Sequence, residues 1–92
     1  MGIEYTLRTT QGDHASVQLA LSRLEGAVAS RKDSREIEFR SASPRGDSMP
    51  DAVLQVETTS VYFRDNGGNG RNFLGAVIAA LCAFGSVTVE EL

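Results

Sequence analysis

The chain is poor in the residues that build disulfides, metal centres and most catalytic groups. It has one cysteine, Cys82, one histidine, His14, and no tryptophan. A single thiol excludes an intrachain disulfide and fits a protein from a reducing compartment. A zinc site needs several Cys or His ligands, and a Ser-His-acid group would have to use His14, which has no support in the local sequence. We therefore predict a non-enzymatic protein without metal or cofactor, in which Cys82 is a small packing residue.

Positive charge is scarce as well. Nine Lys and Arg residues stand against twelve Asp and Glu residues, for a net charge of −3 at pH 7. Broad contact with a nucleic-acid backbone needs a surplus of basic residues, so we predict no nucleic-acid partner. Residues 1–7 carry no basic segment followed by an apolar run, so we predict no signal peptide and a cytoplasmic location. The longest uncharged stretch, 72–89, has too few apolar residues for a membrane span, which needs about 20.

Apolar residues form 41% of the 92 residues, enough for the core of one domain spanning 1–92. Period-two alternation predicts strands at 3–8 and 36–40. Between them we predict a helix over 14–29, with Asp13 as its N-cap. Its apolar residues recur at helical spacing and form one stripe: Val17, Leu21, Leu24 and Val28.

Residues 52–65 can form either a hairpin or one bulged strand. In a single regular strand, Val56 and Phe63 would face opposite sides of the sheet. A turn around Thr59 and Ser60 instead pairs Val56 with Phe63 on one face, with polar pairs on the other. Thr-Ser is an unfavourable sequence for a hairpin turn. The hairpin is favoured because it pairs apolar residues on one face of the sheet and polar residues on the other.

The predicted fold class is α+β, a two-layer sandwich with element order β-α-β-β-β-α. Its mostly antiparallel sheet has four to five strands, including a possible short last strand at 87–89, and both helices lie on one face. If 52–65 is one bulged strand, the order becomes βαββαβ, a ferredoxin-like arrangement, which is the alternative.

The second helix, predicted over 72–84, divides into a bulky half and a small half. At 100° per residue, the bulky half spans about 140° and should face the sheet: Phe73, Leu74, Val77, Ile78, Leu81 and Phe84. The small half carries no charge, although surface helices normally show a polar face. It either packs on Ala20 and Ala27 of the first helix or docks a second copy or a protein partner through Gly75, Ala76, Ala79 and Ala83. The leading hypothesis is therefore an interaction module, in particular a homodimer.

A glycine-rich loop precedes this helix and is the alternative site. Backbone N–H groups at a helix N-terminus favour anions, so the loop could bind a small anion or phosphate ligand. The motif is incomplete, because neither the P-loop ending nor a third glycine at position 73 is present. The candidate ligand-binding residues are Asn66, Gly67, Gly68, Asn69, Gly70, Arg71 and Asn72.

Overall fold

The computed structural model describes residues 3–29, 35–40, 50–58, 60–67 and 69–92. In this part of the chain, six strands, two α-helices and one 3₁₀ turn follow one another in the order β1 (Ile3–Thr9), α1 (His14–Ser22), β2 (Ala27–Ala29), β3 (Glu36–Phe39), β4 (Ala52–Val56), β5 (Val61–Asp65), α2 (Gly70–Leu81), the 3₁₀ turn (Cys82–Phe84) and β6 (Val87–Glu91).

The strands form one sheet in the order β2-β3-β4-β5-β1-β6, and all neighbouring strands are antiparallel. The α+β class and the antiparallel sheet are confirmed, but the sheet has six strands instead of four to five. Without β2 and β3 the element order is β-α-β-β-α-β, that of the ferredoxin-like arrangement. This order arises from a hairpin of β4 and β5, so the bulged strand assumed for the alternative is wrong.

Helix α1 ends much earlier than its apolar stripe predicts. It stops at Ser22, and the chain enters β2 at Ala27. Gly26, whose φ is 85°, lies in the turn between α1 and β2. A side chain at this position would come within 2.7 Å of the Phe73 ring and 2.9 Å of the Arg40 carbonyl oxygen. Val28, predicted on the buried stripe, is therefore a strand residue and remains half exposed.

The core lies between one face of the sheet and the two helices. Alternate strand residues point into it, as the period-two pattern predicts. Buried side chains from α1 and α2 belong to the same cluster as those from the strands, so both helices lie on one face of the sheet. The twelve buried residues of this cluster are Leu7, Val17, Leu21, Ile37, Phe39, Ala52, Leu54, Val56, Val61, Phe63, Val77 and Leu81.

The predicted hairpin is confirmed, but its register differs by two residues. Val56 lies opposite Val61, and Leu54 lies opposite Phe63. The amide of Glu57 donates to the carbonyl oxygen of Ser60 at 2.9 Å, which closes the hairpin between these two residues. Thr59 itself lies outside the described residues. Because side chains alternate with period two, this shift leaves every residue on its predicted face.

Candidate functional site

The glycine-rich loop between β5 and α2 is organised by a carboxylate. Asp65 ends β5, and its Oδ1 accepts a hydrogen bond from the Gly67 amide at 2.8 Å. The amide of Asn66 donates to the Asp51 carbonyl oxygen at 2.9 Å, and its Nδ2 donates to the Pro50 carbonyl oxygen at 3.1 Å. The loop is therefore tied to the segment that enters β4. Gly68 lies outside the described residues.

Gly70 shows why this loop needs a glycine at the start of α2. It is buried, and an added Cβ would lie 2.7 Å from Cγ of Asp65 and 2.8 Å from the Asp51 carbonyl oxygen. Gly67 needs glycine for a different reason, because its φ is 106° while the space around it is open. Two of the glycines thus serve the path and packing of the loop itself.

The charge at this loop has the wrong sign for an anion site. The Asp65 carboxylate already holds the Gly67 amide, and the Gly70 amide donates to the Gly67 carbonyl oxygen at 2.9 Å. A phosphate would have to approach this carboxylate and compete with it. Arg71 is exposed at the first turn of α2. The structure does bring the predicted residues of the described loop together, but anion binding stays a prediction that this electrostatic arrangement does not favour.

The small half of α2 is partly open to solvent. Gly75, Ala79 and Ala83 are exposed, and Ala76 is half-buried. Nothing lies within 4 Å of the position that a Cβ on Gly75 would take. Ala27 lies in β2 rather than on α1, so the predicted internal alternative loses one of its two partners. We call Gly75, Ala76 and Ala79 of α2, together with Ala83 in the 3₁₀ turn that continues the helix, the small face of α2.

The opposite half of α2 packs as its bulky side chains predict. Val77 and Leu81 are fully buried, and the other four bulky residues pack against the core: Phe73, Leu74, Ile78 and Phe84. The ring of Phe73 lies 5.2 Å from that of Phe39, centroid to centroid. Cys82 corrects a prediction, because it is an exposed free thiol rather than a packing residue.

The sheet face opposite the helices carries polar side chains that pair with one another. Tyr62 on β5 donates a hydrogen bond to Oε1 of Glu4 on β1. Arg40, directly after β3, forms an ion pair at 3.0 Å with Glu38 of the same strand. Partial burial, followed by the hydrogen bond to Glu4, raises the pKa of the Tyr62 hydroxyl above its usual value. The contact between Tyr62 and Glu4 is the kind of cross-strand pair expected on a solvent-facing sheet surface.

A cleft of about 240 Å³ lies where the β1–α1 connection meets the β4–β5 turn. Its polar lining was not predicted, because it joins segments more than forty residues apart: Thr9, Thr10, Gln11, Asp13, His14, Glu57, Thr58 and Ser60. Several of these groups are already engaged. The Asp13 carboxylate accepts from the Ser16 amide at 2.7 Å, and Thr9 Oγ1 donates to the Gln11 carbonyl oxygen at 3.0 Å. These polar groups of the cleft therefore form hydrogen bonds within the chain segment 9–16 itself.

The fold and these surfaces define a two-layer α+β domain with a charge-free helix face and a polar sheet face. No protein-family model matches the chain, and no curated protein or solved structure matches it significantly. Within the described residues, no three His, Cys, Asp or Glu side chains are grouped closely enough to hold a metal ion. In the same part of the chain, no helix has the length and apolar character needed to cross a membrane.

Proposed function

We propose that this chain is a small non-enzymatic interaction module that associates with a second copy or with a protein partner through the small face of α2. The observation that supports this proposal is the open space above Gly75, next to the exposed Ala79 and Ala83. No Asp, Glu, Lys or Arg follows Arg71 on this helix. A docking partner would therefore not have to remove a charge from water at this face.

Small side chains suit close contact between helices. Helix axes approach to about 8–10 Å, and the shorter distances require small residues at the contact. Gly75 and Ala79 are four residues apart and therefore lie one above the other on the same side of α2. The half-buried Ala76 borders this pair, so a second helix would contact a continuous backbone ridge. Dispersion contacts along such a ridge would be individually small and collectively favourable.

The proposed setting is the cytoplasm. A single free thiol that is exposed to solvent, as Cys82 is, remains reduced most readily in a reducing compartment. The net charge of −3 suits a protein that stays dissolved apart from its specific contacts.

The experiment is sedimentation equilibrium of the purified chain and two arginine variants over a wide concentration range. Ala79→Arg places a long cation on the small face and should remove the association made through this face, while the monomer stays folded. Ala15→Arg adds the same charge to an exposed position of α1 and should leave association unchanged. Association constants that are the same for Ala79→Arg and Ala15→Arg would show that the small face is not an interface.

A further inference from the structure

Strand β6 is the longer of the two edge strands of the described sheet. It has five residues, while β2 at the opposite edge has three. β6 contains no proline or lysine, and it pairs with β1 through five consecutive residue pairs without a bulge. Natural proteins usually protect a free edge with proline, bulges or charged side chains, especially lysine, because such an edge is a template for another strand. The charged residues of β6 are Glu90 and Glu91, both at its C-terminal end.

The backbone of β6 has a defined set of outward groups. The Thr10 amide donates to the Ser86 carbonyl oxygen at 3.2 Å, and the Leu92 amide donates to the Glu4 carbonyl oxygen at 2.8 Å. Hydrogen-bonded pairs alternate along an antiparallel ladder, so the even-numbered residues of β6 bond to β1. The N–H and C=O groups of Val87, Val89 and Glu91 therefore point away from β1, into the free edge.

We propose that β6 pairs antiparallel with β6 of a second copy of this chain, about a two-fold axis at Val89. In this register Val89 lies opposite Val89 of the second copy, and Val87 lies opposite Glu91. Every outward N–H and C=O group of the strand then has a partner. The Val89 side chain, 41% exposed in the single chain, meets its own copy across the axis.

Charge and the number of paired residues favour this register over the two registers that are shifted by two residues. A slide by two residues toward Leu92 would place Glu90 directly opposite Glu90 of the second copy, and like charges directly opposite are destabilising. A slide the other way would leave three paired residues of β6 instead of five. In the proposed register Glu90 lies opposite Thr88, so no two acidic residues face each other.

The same register also brings opposite charges together on the polar sheet face. Thr88 pairs with Arg8 of β1 within one chain. Glu90 of one copy therefore lies two strand spacings from Arg8 of the other, roughly 10 Å between Cα atoms. Both side chains are exposed and long enough to meet over the intervening threonine. The two-fold axis makes this contact twice, which is the complementarity that favours a second copy as the partner.

The helices do not block the pairing of β6 with another strand. α2 has its main sheet contact with β5, two strands inward from β6. The inference goes beyond the proposed function, because it concerns another surface and names its occupant.

The first test uses the backbone of Val89. Val89→Pro removes an outward amide and no hydrogen bond to β1, so the fold should persist by circular dichroism. In the proposed register, Val87, Val89 and Glu91 of the two copies form six intermolecular hydrogen bonds, and the substitution removes the two that Val89 donates. The dimer dissociation constant measured by sedimentation equilibrium should therefore rise roughly tenfold or more. Val89→Thr keeps the amide and the branched side chain, and it should remain dimeric. A monomeric natural chain, or an unchanged constant for Val89→Pro, would overturn the inference.

The second test uses charge and separates this interface from the small face of α2. Glu90→Arg should weaken the dimer by placing two cations together, and the double variant with Arg8→Glu should restore it. Glu91→Arg makes the same change in net charge but faces Val87, so it should have a smaller effect. A double variant that stays weak would reject the register. Dimers that Ala79→Arg abolishes and Val89→Pro leaves intact would reject this inference and support the proposed function instead.

Discussion

Helices α1 and α2 pack on the same sheet face, but different interactions define their limits. α1 has nine residues, and its first turn is capped by the Asp13 carboxylate. α2 has twelve residues, its N-cap Asn69 makes no side-chain capping bond, and its last turn continues into the 3₁₀ turn. The comparison teaches that a local side chain marks the start of α1, whereas burial of large side chains on one face positions α2.

The largest expected effect comes from removing that burial. Leu81 is fully buried on α2, whereas Leu19 on α1 is 53% exposed. We expect Leu81→Ala to lower the free energy of unfolding by about 2–5 kcal/mol, because it removes apolar contacts and leaves a cavity. Leu19→Ala should cost less than about 0.5 kcal/mol. Urea denaturation of both variants measures the difference, and equal losses would contradict the burial assigned to α2.

The next effect concerns Gly26, in the turn between α1 and β2. Gly26→Ala places a Cβ on a backbone with φ of 85° and against the ring of Phe73. We expect a loss of at least about 1–2 kcal/mol in the free energy of unfolding, from the backbone conformation alone. The measurement is again urea denaturation. A neutral result would contradict the backbone conformation and the close contacts assigned to Gly26.

A smaller effect of opposite sign is expected within α2. Gly75 has helical backbone and open space where a Cβ would lie. Gly75→Ala should raise the free energy of unfolding by roughly 0.5–1 kcal/mol, because alanine loses less conformational entropy in a helix. Thermal denaturation at low protein concentration, where association is minimal, checks the sign. A destabilised variant would show that the small face is closed in the folded chain.

The smallest effect concerns the titratable cap of α1. The amide of Ser16 donates to the Asp13 carboxylate and lowers the pKa of that carboxyl below its usual value. The resulting stability is present above the usual carboxyl pKa and is lost as the pH falls through the lower folded-state pKa. Asp13→Asn keeps an oxygen acceptor without the charge. The difference in melting temperature between the two proteins should therefore shrink in acid, and a constant difference would contradict the cap.

The accuracy of sequence-based prediction follows the range of the interactions involved. Asp13 was identifiable as a cap because its partner, Ser16, is three residues away. The turn at Gly26 that leads from α1 into β2 was not predictable, because Phe73 and the Arg40 carbonyl oxygen approach Gly26 from distant parts of the chain. Strand faces were predictable from alternation, whereas the hairpin register depends on where the turn closes.

The candidate sites show the same limit. The bulky and small halves of α2 follow from helical spacing, and the bulky half packs against the core as predicted. The hydrogen bond from the Gly67 amide to the Asp65 carboxylate was not predicted, although an Asp two residues before Gly67 is a typical signal for a side chain that bonds its own backbone. Helical spacing places Cys82 in the small half of this segment, but it does not show which residues of that half are exposed.

The position of β1 in the sheet has a consequence for the order of assembly. Both of its neighbours come from the second half of the chain, since Ile3 pairs with Asp65 and Thr9 pairs with Val87. The entropy of closing the long loops between these strands is lost before the strand contacts stabilise the chain, and this makes folding slow. During synthesis β1 is made before the other strands of the described sheet, yet it gains its second neighbour only after β6 has left the ribosome. β1 is therefore the earliest strand of this sheet and among the last to be enclosed.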